Sequence, residues 1–341
     1  MYSSTQALLG GSFSQHGSYL YVPSAVALLV KVVLMNQRLT LPTALLLTLP
    51  PLLWAGNAVV GRAVADLIPP MTLNFFRWLI AFAVLLPLSW HILRPASSVW
   101  AHWRRYALLG LLGVGCYNAL LYLAVHTSTA LNVTLVGASM PMWMLATGAL
   151  FFNQRITRVQ VVGALLSMAG VLTVLSRGQL AWLANVQWVA GDIYMVVASI
   201  AWSLYSWLLF QPAGSQTKDT PEICRNWATF LMAQIVFGLG WSGVLAGGEW
   251  AITTASITWG WPLLGALLYV ALGPALLAYR CWGLGVQRVG PAIAGFFTNL
   301  TPLIAAVLSA AFLGELPQLH HAAAFVLIAG GIVVSSWRSS T

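Results

Sequence analysis

Apolar runs of about 20 residues, the length that crosses a bilayer core as a helix, recur along this chain between short charged, polar or proline-bearing junctions. Ten are read: 43–63, 71–91, 106–126, 129–151, 159–176, 189–210, 226–246, 261–283, 290–313 and 319–337. Asp66-Leu67-Ile68-Pro69-Pro70 and Gln211-Pro212-Ala213-Gly214 are typical junctions. An unsatisfied backbone group costs several kcal/mol in lipid, so each run is expected to be helical. The pattern predicts an all-α integral membrane protein with ten transmembrane helices.

The start of the chain follows another pattern. Residues 1–18 are polar and rich in Ser and Gly, and residues 19–35 are apolar but interrupted by Pro23 and Lys31. No basic region precedes that stretch, so it fits a signal peptide poorly. Two readings stand: an eleventh span, or an extension (1–39) ahead of a folded protein that starts near Met35.

Composition sharpens the class. Hydrophobic residues make up 60% and charged ones 6%, and the mean hydropathy is +0.84. A soluble domain carries about 25% charged residues, so this chain cannot cover a water-facing surface. Its partner is the lipid bilayer. The net charge of +9 comes from residues scattered through short loops with no basic stripe, which argues against nucleic acid. Placing the N-terminus in the cytoplasm puts Lys31, Arg38, Arg94, Arg104, Arg105, Arg155, Arg158, Lys218, Arg225, Arg288 and Arg338 on that side. The other side receives Arg62 and Arg177, while Arg77 and Arg280 stay inside spans. By the positive-inside rule both termini are expected in the cytoplasm of a multi-pass inner or plasma membrane protein. Cys116, Cys224 and Cys281 are odd in number and far apart, which suggests neither a disulfide framework nor a zinc site.

The chain also repeats itself. Pro141 precedes Gln154 by the same interval that separates Pro302 from Glu315, and each proline lies mid-span. Leu53-Trp54-Ala55-Gly56-Asn57 resembles Ala201-Trp202-Ser203-Leu204-Tyr205. Two halves follow, 40–177 and 188–338, of five spans each. Five is odd, so the second half enters the membrane from the opposite side. Inverted five-helix repeats are a secondary-transporter architecture, offering two similar states, each open to one side.

These features together resemble the EamA-type branch of the drug/metabolite transporter superfamily: the duplicated five-helix unit, Trp54 and Trp202 early in each half, Asn74-Phe75-Phe76-Arg77-Trp78 in the second span, and the repeat ends Pro141 to Gln154 and Pro302 to Glu315. The resemblance covers about residues 40–338. One departure is visible: the family commonly has Glu at the turn after the fourth span of each half, and this chain keeps Glu315 but has Gln154. The resemblance implies a ten-span transporter, commonly an exporter of metabolites or drugs.

A substrate pathway needs polar and aromatic groups that face the bundle interior. Trp54 and Asn57 share a helix face, and Trp202 and Tyr205 hold the equivalent face in the second half. Tyr117, Asn118 and Tyr122 in the third span, with Tyr279 in the eighth, form a second set; Trp143, Thr298 and Asn299 lie in the duplicated fourth spans. For each of these the alternative is an interfacial anchor or a bond between helices. Arg77 either binds an anionic substrate group or ties carbonyls, and Arg280 is expected to snorkel to the surface. Pro141 and Pro302 are expected as hinges. The candidate substrate-binding set is therefore Trp54, Asn57, Arg77, Tyr117, Asn118, Trp143, Trp202, Tyr205, Tyr279 and Asn299.

Some patterns do not occur. All six carboxylates, Asp66, Asp192, Asp219, Glu222, Glu249 and Glu315, fall in loops or near span ends, which disfavours proton-for-cation exchange on a midplane carboxylate. There is no GxxxxGK[ST], no HExxH and no dinucleotide fingerprint, so no cofactor, metal or enzymatic reaction is expected. Gly110, Gly113, Gly115, Gly283, Gly285 and Gly290 are read as close helix packing. A cavity of aromatics and amides suits a small neutral or zwitterionic metabolite, amino-acid-like, exported by alternating access. Alternatives are a drug or cation exporter, an enzyme acting on lipid, and a non-transporting assembly protein. A monomer or homodimer is expected.

Overall fold

The computed structural model describes residues 39–128, 130–179, 188–210, 226–254, 256–313 and 319–337. The expectations for residues 1–38, and for Glu315, Lys218, Arg225 and Arg338, lie outside that set. Ten helical stretches cross the molecule: α1 (Leu41–Ala63), α2 (Pro70–Ser89), α3 (Trp103–Thr127), α4 (Ala130–Gly137 and Met140–Phe151) and α5 (Arg158–Leu175) form the first half. The second half holds α6 (Ala190–Leu209), α7 (Trp227–Ile252), α8 (Trp261–Val289), α9 (Pro291–Phe297 and Leu300–Leu313) and α10 (Leu319–Ser336). Among the described residues nine of these are at least 18 residues long and apolar enough to span a bilayer, and α9 supplies the shorter apolar stretch Pro291–Ala305. No strand occurs among the described residues.

Local chemistry sets several boundaries. Thr157 and Gln160 form a capping box at the start of α5: Gln160 N–H donates to Thr157 Oγ1 at 3.3 Å and Thr157 N–H to Gln160 Oε1 at 2.9 Å. Gly290, at φ 83°, turns the chain from α8 into α9. Pro70 opens α2, where its missing N–H costs nothing. The next two N–H groups of α2 are met from the other half. Met71 N–H and Thr72 N–H donate to the two carboxylate oxygens of Glu249 on α7, at 3.0 and 2.9 Å. A carboxylate here also lies at the positive end of the helix dipole. Glu249→Ala is therefore expected to cost about 1–2 kcal/mol, read as a lower thermal midpoint of the detergent-solubilised protein. An unchanged midpoint would remove this cross-half cap from the account.

The pairing of helices reveals the internal symmetry. α2 packs on α7, α4 on α9, and α5 on α10, so second meets second, fourth meets fourth and fifth meets fifth. α1 packs on α8 and α3 on α6, so first meets third in both senses. A twofold axis between the halves generates this set of contacts. With five crossings each, the halves are inverted repeats. The α5–α10 seam is reciprocal in detail: a Cβ on Gly163 would lie 2.7 Å from the Gly331 carbonyl, and one on Gly331 would lie 2.6 Å from the Gly163 carbonyl. Small residues let the two backbones touch. Gly110 does the same for α3 against α7, 2.6 Å from the Gln234 carbonyl. Gly285 seats Leu47, whereas Gly283 and Gly330 meet nothing within 4 Å.

Two irregularities recur in both halves. α3 and α8 each contain a seven-residue π-helical segment, Gly110–Cys116 and Ala271–Leu277. One numerical offset carries the first onto the second, and also carries Pro141 onto Pro302 and Asn118 onto Tyr279. α4 breaks at Ala138-Ser139 and α9 at Thr298-Asn299. The two prolines do not bend continuous helices; they stand in the first turn of the second segments, just after each break. A proline ring clashes with the carbonyl four residues earlier, at Gly137 and Thr298, and the helix stops there.

Candidate functional site

The middle of the bundle is an aromatic cluster spanning both halves. Trp202 of α6, 1% exposed, is its hub. Its ring centroid lies 5.2 Å from Trp54, 4.8 Å from Tyr117, 5.1 Å from Tyr205, 5.3 Å from Tyr279 and 5.5 Å from Trp282. Tyr279 also stands edge-on to Trp78 at 5.0 Å. A Cβ on Gly113 would sit 2.6 Å from the Tyr205 ring, so this position must stay small for Tyr205 to reach the centre.

Beside the aromatics lies a polar knot on α1, α2 and α3. Arg77 is 0% exposed. Its Nη1 donates to Asn118 Oδ1 at 2.8 Å, Tyr122 Oη at 3.2 Å and Asn57 Oδ1 at 3.3 Å. Tyr122 O–H in turn donates to Asn57 Oδ1 at 3.0 Å. Among the described residues these acceptors are all neutral, and Arg77 Nε and Nη2 have no hydrogen-bond partner. A guanidinium at this depth costs several kcal/mol unless it is well compensated. Arg77 Cζ also lies 5.4 Å from the centroid of the Trp78 ring.

The π-helical segments feed the same centre. Trp54 Nε1–H donates to the Pro274 carbonyl at 3.3 Å, and Tyr279 O–H donates to the Gly113 carbonyl. Each acceptor is the fourth residue of its π-segment and each donor comes from the opposite half. Asn118 Nδ2–H donates to Tyr279 Oη at 3.3 Å, joining polar knot to aromatic cluster.

Eight of the ten residues predicted from sequence thus come together: Trp54, Asn57, Arg77, Tyr117, Asn118, Trp202, Tyr205 and Tyr279. Two lie elsewhere. Trp143 Nε1–H donates to Ser139 Oγ within its own span, at 3.0 Å. Asn299 Nδ2–H donates to the Ala138 carbonyl at 3.2 Å and Ser167 Oγ at 2.9 Å, binding the break in α9 to α4 and α5. Arg280 is exposed and stacks over Trp227 at 4.7 Å. Sequence reasoning missed Trp282 and Trp78. Trp282 shares a helix face with Tyr279 three residues before it, but in a chain with 17 tryptophans that spacing alone does not select it.

A narrow cleft of about 10 Å³, room for about one water molecule, lies at the end of the bundle that carries the α1–α2 turn. Gly61, Ile68, Leu73, Val125 and His126 line it, and Tyr122 forms part of its wall. Tyr122 is therefore the side chain between the cleft and Arg77. At the opposite end Trp207 Nε1–H donates to the Met144 carbonyl at 2.8 Å and stacks on Phe152 at 5.4 Å, joining α6 to α4 there.

A helical membrane bundle of two inverted halves around a shared polar and aromatic centre is the build of a secondary transporter. Residues 41–176 and 189–337 each match the EamA-like transporter family, and the chain belongs to it. It is 25% identical over 301 residues to an uncharacterized transporter of Archaeoglobus fulgidus, covering 86% of this chain and 97% of that one. It is 26% identical over 290 residues to a protein of Salmonella typhimurium named a probable amino-acid metabolite efflux pump, covering 83% and 90%. It is 22% identical over 293 residues to the aromatic amino acid exporter YddG of Ancylobacter novellus, covering 84% and 93%. The chain is a membrane transporter.

Proposed function

We propose that this transporter exports small zwitterionic, amino-acid-like metabolites by alternating access, with no covalent chemistry. The observation that carries the reading is Arg77: a permanent cation, wholly buried, whose Nε and Nη2 hydrogens have no partner among the described residues. A substrate carboxylate accepts from such a pair in fork geometry. The aromatic faces of Tyr117, Trp202 and Tyr205 suit an apolar side chain, and a neighbouring ammonium as well. The names of the Salmonella and Ancylobacter relatives point the same way. A lipophilic cation would be repelled by Arg77, which has no carboxylate among its hydrogen-bond partners in the described residues.

In this reading the cleft beside Tyr122 is the outer vestibule, and both termini lie in the cytoplasm of the inner or plasma membrane. Rocking of the halves then moves the centre from one side to the other, with the breaks before Pro141 and Pro302 absorbing the change. Trp143 and Asn299 line the path beside those breaks. The test is counterflow into proteoliposomes holding the full chain. Labelled amino acids, sugars and tetraphenylphosphonium are offered in turn. Amino-acid exchange that saturates is the expected result; exchange of the phosphonium with none of any amino acid would refute the assignment.

A further inference from the structure

Four groups form a directed relay across the interface between the halves. Arg77 Nη1–H donates to Asn118 Oδ1 at 2.8 Å, Asn118 Nδ2–H donates to Tyr279 Oη at 3.3 Å, and Tyr279 O–H donates to the Gly113 carbonyl. The relay begins at a fixed positive charge with two unpaired donors and ends at a backbone acceptor. Every link between is a neutral side chain.

The internal symmetry marks the last link as unusual. In the second half the equivalent carbonyl, Pro274, is taken by the indole N–H of Trp54. Trp202 is the counterpart of Trp54, so symmetry would give its N–H to Gly113. Instead the Tyr279 hydroxyl holds that carbonyl, and Trp202 Nε1, wholly enclosed, has no partner among the described residues. A buried N–H without an acceptor is costly, so the arrangement at Gly113 departs from the symmetric one at a price in hydrogen bonding.

We propose that the relay stands in for the substrate: a zwitterion bridges Arg77 and the Gly113 carbonyl, its carboxylate on the guanidinium and its ammonium donating to the Gly113 oxygen in place of the Tyr279 hydroxyl. This rests on the amino-acid reading above and adds to it an ammonium subsite. The polarity matches at both ends, donors facing the carboxylate and an acceptor facing the ammonium. A backbone carbonyl is the natural partner for an ammonium where no carboxylate among the described residues adjoins the centre, and the Tyr205 ring beside Gly113, packed with Trp202 and Tyr117, offers it an aromatic neighbour. Displacement also has a mechanical consequence. The Tyr279–Gly113 bond joins α8 to α3, one half to the other, so occupying the subsite releases a bond that holds the halves together.

The test uses competition against the labelled amino acid that exchanges fastest in proteoliposomes, L-phenylalanine being the first tried. For phenylalanine the competitors are the unlabelled amino acid, 3-phenylpropanoate, which lacks the ammonium, and 2-phenylethylamine, which lacks the carboxylate. The intact protein is expected to bind the zwitterion about tenfold or more tightly than either analogue, as loss of one charged hydrogen bond requires. In Tyr279→Phe the ring stays and the competing hydroxyl goes. The half-saturating amino-acid concentration is then expected to fall about threefold or more, while inhibition by 3-phenylpropanoate moves less than about twofold, because only the ammonium meets the freed carbonyl. Equal shifts for both ligands, or weaker amino-acid binding in a variant that elutes as the intact protein, would overturn the ammonium subsite and leave export of amino acids standing. If Tyr279→Phe does not fold, the analogue series on the intact protein decides: less than twofold preference for the zwitterion over 3-phenylpropanoate rejects the subsite. If no amino acid exchanges at all, the parent reading falls and the relay with it.

Discussion

Arg77→Met is expected to abolish exchange while leaving the protein no less stable. Two charge-assisted hydrogen bonds from the guanidinium to a carboxylate are worth about 1.5–3 kcal/mol each. Together they amount to about 3–6 kcal/mol, a factor on the order of 10² to 10⁴ in binding. The same side chain is a burden on the fold. It is wholly buried, its three acceptors are neutral, and two of its nitrogens are unpaired. Replacing a buried charge with an apolar side chain of similar volume is often neutral or stabilising. Asn118 Oδ1 loses its donor, which returns about 1–3 kcal/mol of the gain, whereas Asn57 Oδ1 keeps Tyr122. The thermal midpoint is therefore expected to hold or rise slightly. Arg77→Lys keeps the charge without the planar fork and is expected to retain a small part of the exchange. The measurement pairs counterflow rate with thermal midpoint. A variant with more than a tenth of the original rate, or one that is lost to unfolding, would show that Arg77 serves the structure instead of the substrate.

The second large effect is in the seam between α5 and α10, where adjacent glycines have opposite fates. A Cβ on Gly331 lies 2.6 Å from the Gly163 carbonyl and 2.8 Å from Ser167 N, both backbone atoms. A rotamer change cannot relieve that contact, so the helices must part. Overpacking of this kind costs about 1–3 kcal/mol and more when nothing yields, and Gly331→Val is expected at or beyond the upper end. Gly330 meets nothing within 4 Å, and valine is better than glycine inside a helix by a few tenths of a kcal/mol, about 0.3–0.5. Gly330→Val should therefore purify like the original protein, while Gly331→Val gives a strongly lowered midpoint or none. Equal behaviour of the two would mean that the α5–α10 register described here is wrong.

How much of this was legible in the sequence varied with the distance over which the cause acts. Arg77 is conspicuous in the sequence, because an arginine two turns inside an apolar run must find compensation somewhere. Trp54 and Asn57, three apart, and Trp202 and Tyr205, three apart, could be assigned to shared faces from helix geometry alone. What those faces meet could not. Trp202 becomes the hub only because α6 crosses α3, α1 and α8 at one level, and Trp282 joins it through the same crossing. Trp143 and Asn299 carried the same sequence signal as the others, yet their spans turn them toward Ser139 and toward Ala138 and Ser167. Pro141 and Pro302 were visible as helix breakers, but each break precedes its proline, since the clash falls four residues upstream. The π-helical segments left no mark beyond the glycines of one and Pro274 in the other.

The sequence by itself determined the solvent, the helices and their duplication. Lipid leaves no partner for an open backbone, so each long apolar run had one available conformation, and an odd number of spans per copy forced the copies to oppose each other. Only the tertiary structure decided which side chains of those helices share one centre. It set Arg77 among neutral oxygens, gave the Gly113 and Pro274 carbonyls to donors from opposite halves, and put Gly163 against Gly331 while leaving Gly330 free. Those outcomes depend on helix rotation and crossing, which close packing between distant segments fixes and which local periodicity leaves open.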